Sequence, residues 1–122
     1  MREDRTPVAK VILVVDDDAV RETAVNPVEG LGYRATSATN AKEALRLVEN
    51  DGIDAVLTDV AMPGMNGFQL AQRIREVEPG MPVICVTGYA DVVEDARYCD
   101  VLLQKPYRAA TIAKTLTSVL ED

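Results

Sequence analysis

Five short apolar runs, each followed by a stretch with helical spacing, constrain this chain more than any other feature. The runs cover residues 10–15, 33–39, 53–58, 82–86 and 101–104. The first, Lys10-Val11-Ile12-Leu13-Val14-Val15, is a continuous and largely β-branched stretch, as expected of a strand buried on both faces. Between the runs, helices are expected over residues 19–30, 40–49, 68–77, 91–99 and 109–120. Asn40 is placed to cap the second of these, and Pro27 is placed to kink the first. Such an alternation, with short connections, predicts an α/β fold: a parallel sheet with helices on both faces. At 122 residues there is room for one domain, read as residues 10–122 behind a loose tail of residues 1–9, with no output domain.

Four of the five expected strands end in a polar group at the same end of the sheet. Asp16 and Asp17 follow the first, Asp59 the third, Thr87 the fourth and Lys105 the fifth. In open α/β sheets the functional crevice lies outside the carboxyl ends of the strands, so topology gathers residues distant in sequence. Taken singly, each has an ordinary explanation: Asp as turn former or helix cap, Thr as loop residue, Lys as solvated charge. Coincidence at four strand ends is a much poorer account. The chain contains no histidine, which excludes Ser-His-Asp chemistry and His-containing zinc sites. What is left is a set of hard oxygen donors suited to Mg²⁺ or Mn²⁺, with a hydroxyl and an ammonium to meet phosphoryl oxygens. Positioning and charge neutralisation by such a set serve phosphoryl transfer, with Asp59 as nucleophile forming an acyl phosphate.

The span from Lys10 to Leu120 resembles response-regulator receiver domains. The resemblance is carried by Val14-Val15-Asp16-Asp17-Asp18, by residues 57–67 (Leu-Thr-Asp-Val-Ala-Met-Pro-Gly-Met-Asn-Gly), by Val86-Thr87-Gly88 and by Lys105-Pro106-Tyr107. It implies a flavodoxin-like (βα)5 three-layer sandwich with strand order 2-1-3-4-5. It also implies Asp59 as phosphoacceptor, with Asp16, Asp17, Asp59 and the Ala61 carbonyl as metal ligands. Thr87 and Lys105 would contact the phosphoryl oxygens, and the Lys105–Pro106 bond would be cis. The phosphoryl donor implied is a histidine kinase or a histidine phosphotransfer domain, whose histidine this chain lacks. A downstream protein would read the change of state.

Two departures from the pattern stand out. Thr87 and Lys105 are too close in sequence for two loops, a full helix and a strand, so the fourth helix should be short or irregular. The position that commonly holds an aromatic switch residue, three before the lysine, is Leu102. The stretch ending Thr87-Gly88-Tyr89 is similar to a receiver subgroup with a shortened fourth helix.

A net charge of −7, from 20 acidic and 13 basic residues, argues against nucleic-acid binding. The apolar runs are too short to cross a membrane, and no signal-type stretch follows the N-terminus, which places the chain in the cytoplasm. Cys85 falls in an apolar run and reads as a small core residue, and nothing in its spacing to Cys99 suggests a disulfide. Two other readings stay open. Asp16-x-Asp18 after an apolar strand also resembles haloacid-dehalogenase-type phosphatases, with Asp16 as nucleophile, although the further acidic motif and the cap of those enzymes are missing. The other is a receiver-like binding module that is never phosphorylated.

Overall fold

A computed structural model describes residues 10–15, 30, 32–50, 52–61, 64–88, 96–104 and 109–120. Five parallel strands form one sheet in the order β2-β1-β3-β4-β5: β1 (Val11–Val15), β2 (Arg34–Ala38), β3 (Ala55–Asp59), β4 (Val83–Thr87) and β5 (Val101–Gln104). Burial follows position in that order. The interior strands β3 and β4 are buried at every residue, and β1 at all but its first. The edge strands β2 and β5 carry exposed residues between less exposed ones, which is why Arg34-Ala-Thr-Ser-Ala can be polar and still pair.

Three helices are described: α1 (Ala41–Asn50), α2 (Gly67–Val77) and α3 (Ala109–Leu120). Asn40 begins α1 by accepting a hydrogen bond from the Glu43 amide at 2.8 Å. Asn66 begins α2 through a capping box: its side chain accepts from the Gln69 amide, and the Gln69 side chain accepts from the Asn66 amide, each at 2.9 Å. The sheet separates two apolar clusters. On one side Leu13, Val15, Val56, Val83 and Cys85 meet Ala44 and Val48 of α1 and Phe68, Ala71 and Ile74 of α2. On the other, Ile12, Val14, Leu57, Ile84 and Val86 meet Ile112 and Leu116 of α3. The alternation of faces along each strand thus yields a three-layer sandwich.

The end of the sheet where the strands begin is fixed by two aspartates doing the same job. Asp54, just before β3, donates its amide to the Val11 carbonyl and accepts the Val11 amide on Oδ2, both at 2.8 Å. Asp100, just before β5, does the same with Val83, at 2.8 and 2.7 Å. In each case the first residue of one strand is locked to the approach of its neighbour. Arg75 of α2 reinforces the second lock, donating to Asp100 Oδ2 and to the Tyr98 carbonyl, each at 3.0 Å.

The expected helix over residues 19–30 lies, but for its last residue, outside the described residues, as does the tail of residues 1–9. Of the segment expected to hold a short or irregular fourth helix, the described part forms one 3₁₀ turn, Ala96–Tyr98. One expectation is corrected. Cys85 is fully buried, as expected, but it is joined to Cys99 in a disulfide with Cα atoms 6.0 Å apart. The pairing was hidden because it is made by tertiary approach: β4 and the residues before β5 run side by side only once the sheet exists.

Candidate functional site

Asp59 is the last residue of β3, the central strand of the sheet, and Thr87 the last of β4 beside it. Asp59 pairs in register with Val86, so Thr87 stands one step beyond it on the adjacent strand. Both are buried, with 9% of Asp59 and 4% of Thr87 exposed. A carboxylate this enclosed is held at one place, and one residue away on the neighbouring strand lies a hydroxyl. The fully buried Thr58 hydroxyl donates to the Asp59 carbonyl at 3.0 Å, bracing the main chain from within the sheet. The Thr87 hydroxyl lies 3.2 Å from the Gly88 carbonyl, to which it donates.

Beyond Asp59 the chain is stitched in place. The Val60 amide donates to the Val86 carbonyl, continuing the β3–β4 ladder past the strand, and the Gly67 amide donates back to the Val60 carbonyl, both at 2.9 Å. Gly67, first residue of α2, therefore sits directly on the site. A Cβ there would fall on the Asp59 carbonyl oxygen and lie 2.8 Å from Val60 Cα. This position admits glycine because two main chains touch, and α2 can then start immediately against the strand that carries Asp59. In the sequence Gly67 stands as the last residue of the stretch 57–67 that carries the resemblance. Its role was not visible because the contact is between segments that only the fold brings together. Ala61 follows on the exposed side of this crossing.

Of the residues singled out from sequence, the structure brings Asp59, Thr87 and Ala61 to one edge. Asp16, Asp17 and Lys105 lie outside the described residues, as does the Lys105–Pro106 bond. Their described neighbours lead to the same edge: Val15 pairs with Thr58, and Gln104 pairs with Thr87. Among the described residues no group of three or more His, Cys, Asp and Glu side chains gathers. The donors the described part does supply at this edge, a carboxylate and a main-chain carbonyl, are hard oxygens. They fit Mg²⁺, which takes one or two carboxylates and keeps waters, and they do not fit a soft metal. Leu102, at the position where an aromatic switch residue was looked for, is an exposed leucine of β5 in register with Cys85. Tyr98 packs against the α1–α2 cluster, with the Arg97 guanidinium 5.6 Å from its ring centre.

Comparison with known proteins gives a consistent result. Residues 11–117 match a family model described as the response regulator receiver domain. The sensor histidine kinase RcsC of Escherichia coli is 38% identical over 117 residues, covering 91% of this chain and 12% of the kinase. This chain therefore spans about an eighth of the length of that relative. A CheY-like receiver domain protein of Methanospirillum hungatei superposes with a TM-score of 0.85 at 31% identity, covering 93% of this chain and 95% of that one. The response regulator TrrA of Thermotoga maritima, solved in complex with Mg²⁺ and BeF, superposes with a TM-score of 0.84 at 28% identity, covering 91% and 99% of the two chains.

Proposed function

Because this chain belongs to the response regulator receiver family, we propose that it takes a phosphoryl group from a partner's phosphohistidine onto Asp59 and changes its protein contacts as a result. The observation that carries the reading is the position of Asp59: a buried carboxylate ending an interior strand, with Thr87 ending the next. In the transfer, a carboxylate oxygen of Asp59 forms a bond to phosphorus as the phosphorus–nitrogen bond of the donor imidazole breaks, and the imidazole keeps that electron pair. Thr87 and Lys105 contact the phosphoryl oxygens and offset their charge. Asp16, Asp17, Asp59 and the Ala61 carbonyl would hold Mg²⁺. When bound, that ion neutralises charge between the carboxylates and the incoming phosphoryl group. Mn²⁺ suits the same oxygen donors. Later hydrolysis of the acyl phosphate returns Asp59 to its free state, so the chain resets itself without being an enzyme toward other substrates.

The donor in this reading is a histidine kinase or a histidine phosphotransfer domain, in keeping with a chain that has no histidine of its own. A cytoplasmic setting follows from that partner. No described helix is long and apolar enough to cross a membrane. Family membership leaves the phosphatase-type role for Asp16 without support. The test is incubation with Mg²⁺ and acetyl phosphate, followed by intact mass. One phosphoryl adduct is expected, lost on chelation of the metal and in Asp59→Asn. An adduct that survives Asp59→Asn but disappears in Asp16→Asn would overturn the assignment, and absence of any adduct would favour a binding module that is never phosphorylated.

A further inference from the structure

We propose that the Cys85–Cys99 disulfide is a reversible redox site, opened by a dithiol reductant at Cys99, whose state sets how firmly the segment leading into β5 is held against β4. The two cysteines are unequally enclosed. Cys85 is fully buried in the middle of β4, whereas Cys99 is half-buried and packs at the margin of the α1–α2 cluster. A reductant's thiolate therefore reaches the Cys99 sulfur. It forms a mixed disulfide there, and Cys85 leaves as a thiolate that takes up a proton. The second thiol of the reductant then attacks its own sulfur in the mixed disulfide and releases Cys99 as a thiol. The two electrons come from the dithiol, which departs as a disulfide. No other cysteine exists in the chain to compete for either sulfur.

What the bond controls follows from what else holds this segment. Around Cys99 other ties include the Arg75 bond to the Tyr98 carbonyl and the Asp100 lock on Val83. The Arg75–Asp100 ion pair is substantially exposed and contributes little. The disulfide is thus the covalent tie between β4 and the start of β5, and its removal leaves the segment to these polar contacts and to the packing of Tyr98 and Cys99 at the margin of the α1–α2 cluster. On β4 the link is anchored two residues before Thr87, on the same face of the strand. If the chain works beside a cytoplasmic kinase, as proposed above, its surroundings favour thiols, and the bond is reformed by the same exchange run in reverse, an oxidised dithiol taking the two electrons and leaving as the reduced dithiol.

The test uses the full chain, oxidised in air, exposed to dithiothreitol in native buffer and quenched with iodoacetamide. Intact mass should show loss of the disulfide at a rate proportional to dithiol concentration, and peptide masses at early quench should show the mixed disulfide on Cys99 with Cys85 as the alkylated thiol, with the far-ultraviolet circular dichroism unchanged. Hydrogen exchange of amides 98–104 should quicken about tenfold on reduction. Cys99→Ser should show the fast exchange with or without dithiol, and Asp59→Asn should behave as the parent does, separating this site from the phosphoacceptor. Reduction only after urea has unfolded the chain would overturn the proposal, making the bond a fixed staple. Equal exchange in the two states, or two free thiols in the air-oxidised protein, would overturn it as well.

Discussion

Replacing Gly67 by alanine would drive a methyl group into the main chain of Asp59 and Val60, with no flexible side chain there to yield. The strand or the helix must shift, at an expected cost of about 1–3 kcal/mol in urea unfolding. The same shift should slow phosphoryl-adduct formation on Asp59, because the carboxylate rides on the displaced carbonyl. Gly80→Ala is the control: nothing lies within 4 Å of a Cβ there, and the change should be neutral or stabilising by up to about 1 kcal/mol. The pair of glycines also marks how far a sequence can be read. Asp59 and Thr87 were visible because the ends of apolar strands are visible, and a parallel sheet gathers its strand ends. In sequence both Gly67 and Gly80 read as turn glycines beside a helix end. The meaning of Gly67 is a contact with the strand before it, and that contact appears only when α2 is laid across the end of β3.

Among the elements, strand starts are held as deliberately as strand ends. Asp54 and Asp100 look like ordinary loop aspartates in sequence, since the amides they accept belong to residues 43 and 17 positions away. Asp54→Ala would leave the part-buried Val11 amide without its acceptor, and should cost about 1–3 kcal/mol, read as a lower urea midpoint. Hydrogen exchange should localise that loss to the first residues of β1. The helices were easier to read, because caps are local: Asn40 was placed correctly from the chain alone, and the Asn66–Gln69 pair belongs to the same kind of signal. The segment before β5 was legible only as too short for a regular helix. That its described part is a 3₁₀ turn followed by a cysteine bonded to β4 could not be read from spacing.

For the whole molecule, the sheet is the wall between two apolar clusters that share no residue. Leu116 is fully buried in the cluster under α3, and Leu116→Ala should cost about 2–5 kcal/mol, seen as a lower melting temperature. The exposed Ser118→Ala on the same helix should stay within about 0.5 kcal/mol. The layered architecture itself was predictable from five alternations of strand and helix, and the order of the strands from the family resemblance. That order, β2-β1-β3-β4-β5, bears on how the protein is made. A nascent chain presents β1 and β2 to each other first. From then on every new strand joins one growing side: β3 beside β1, β4 beside β3, β5 beside β4. No strand has to wait for a partner still inside the ribosome, and each arrival covers the open edge that would otherwise invite a neighbouring chain.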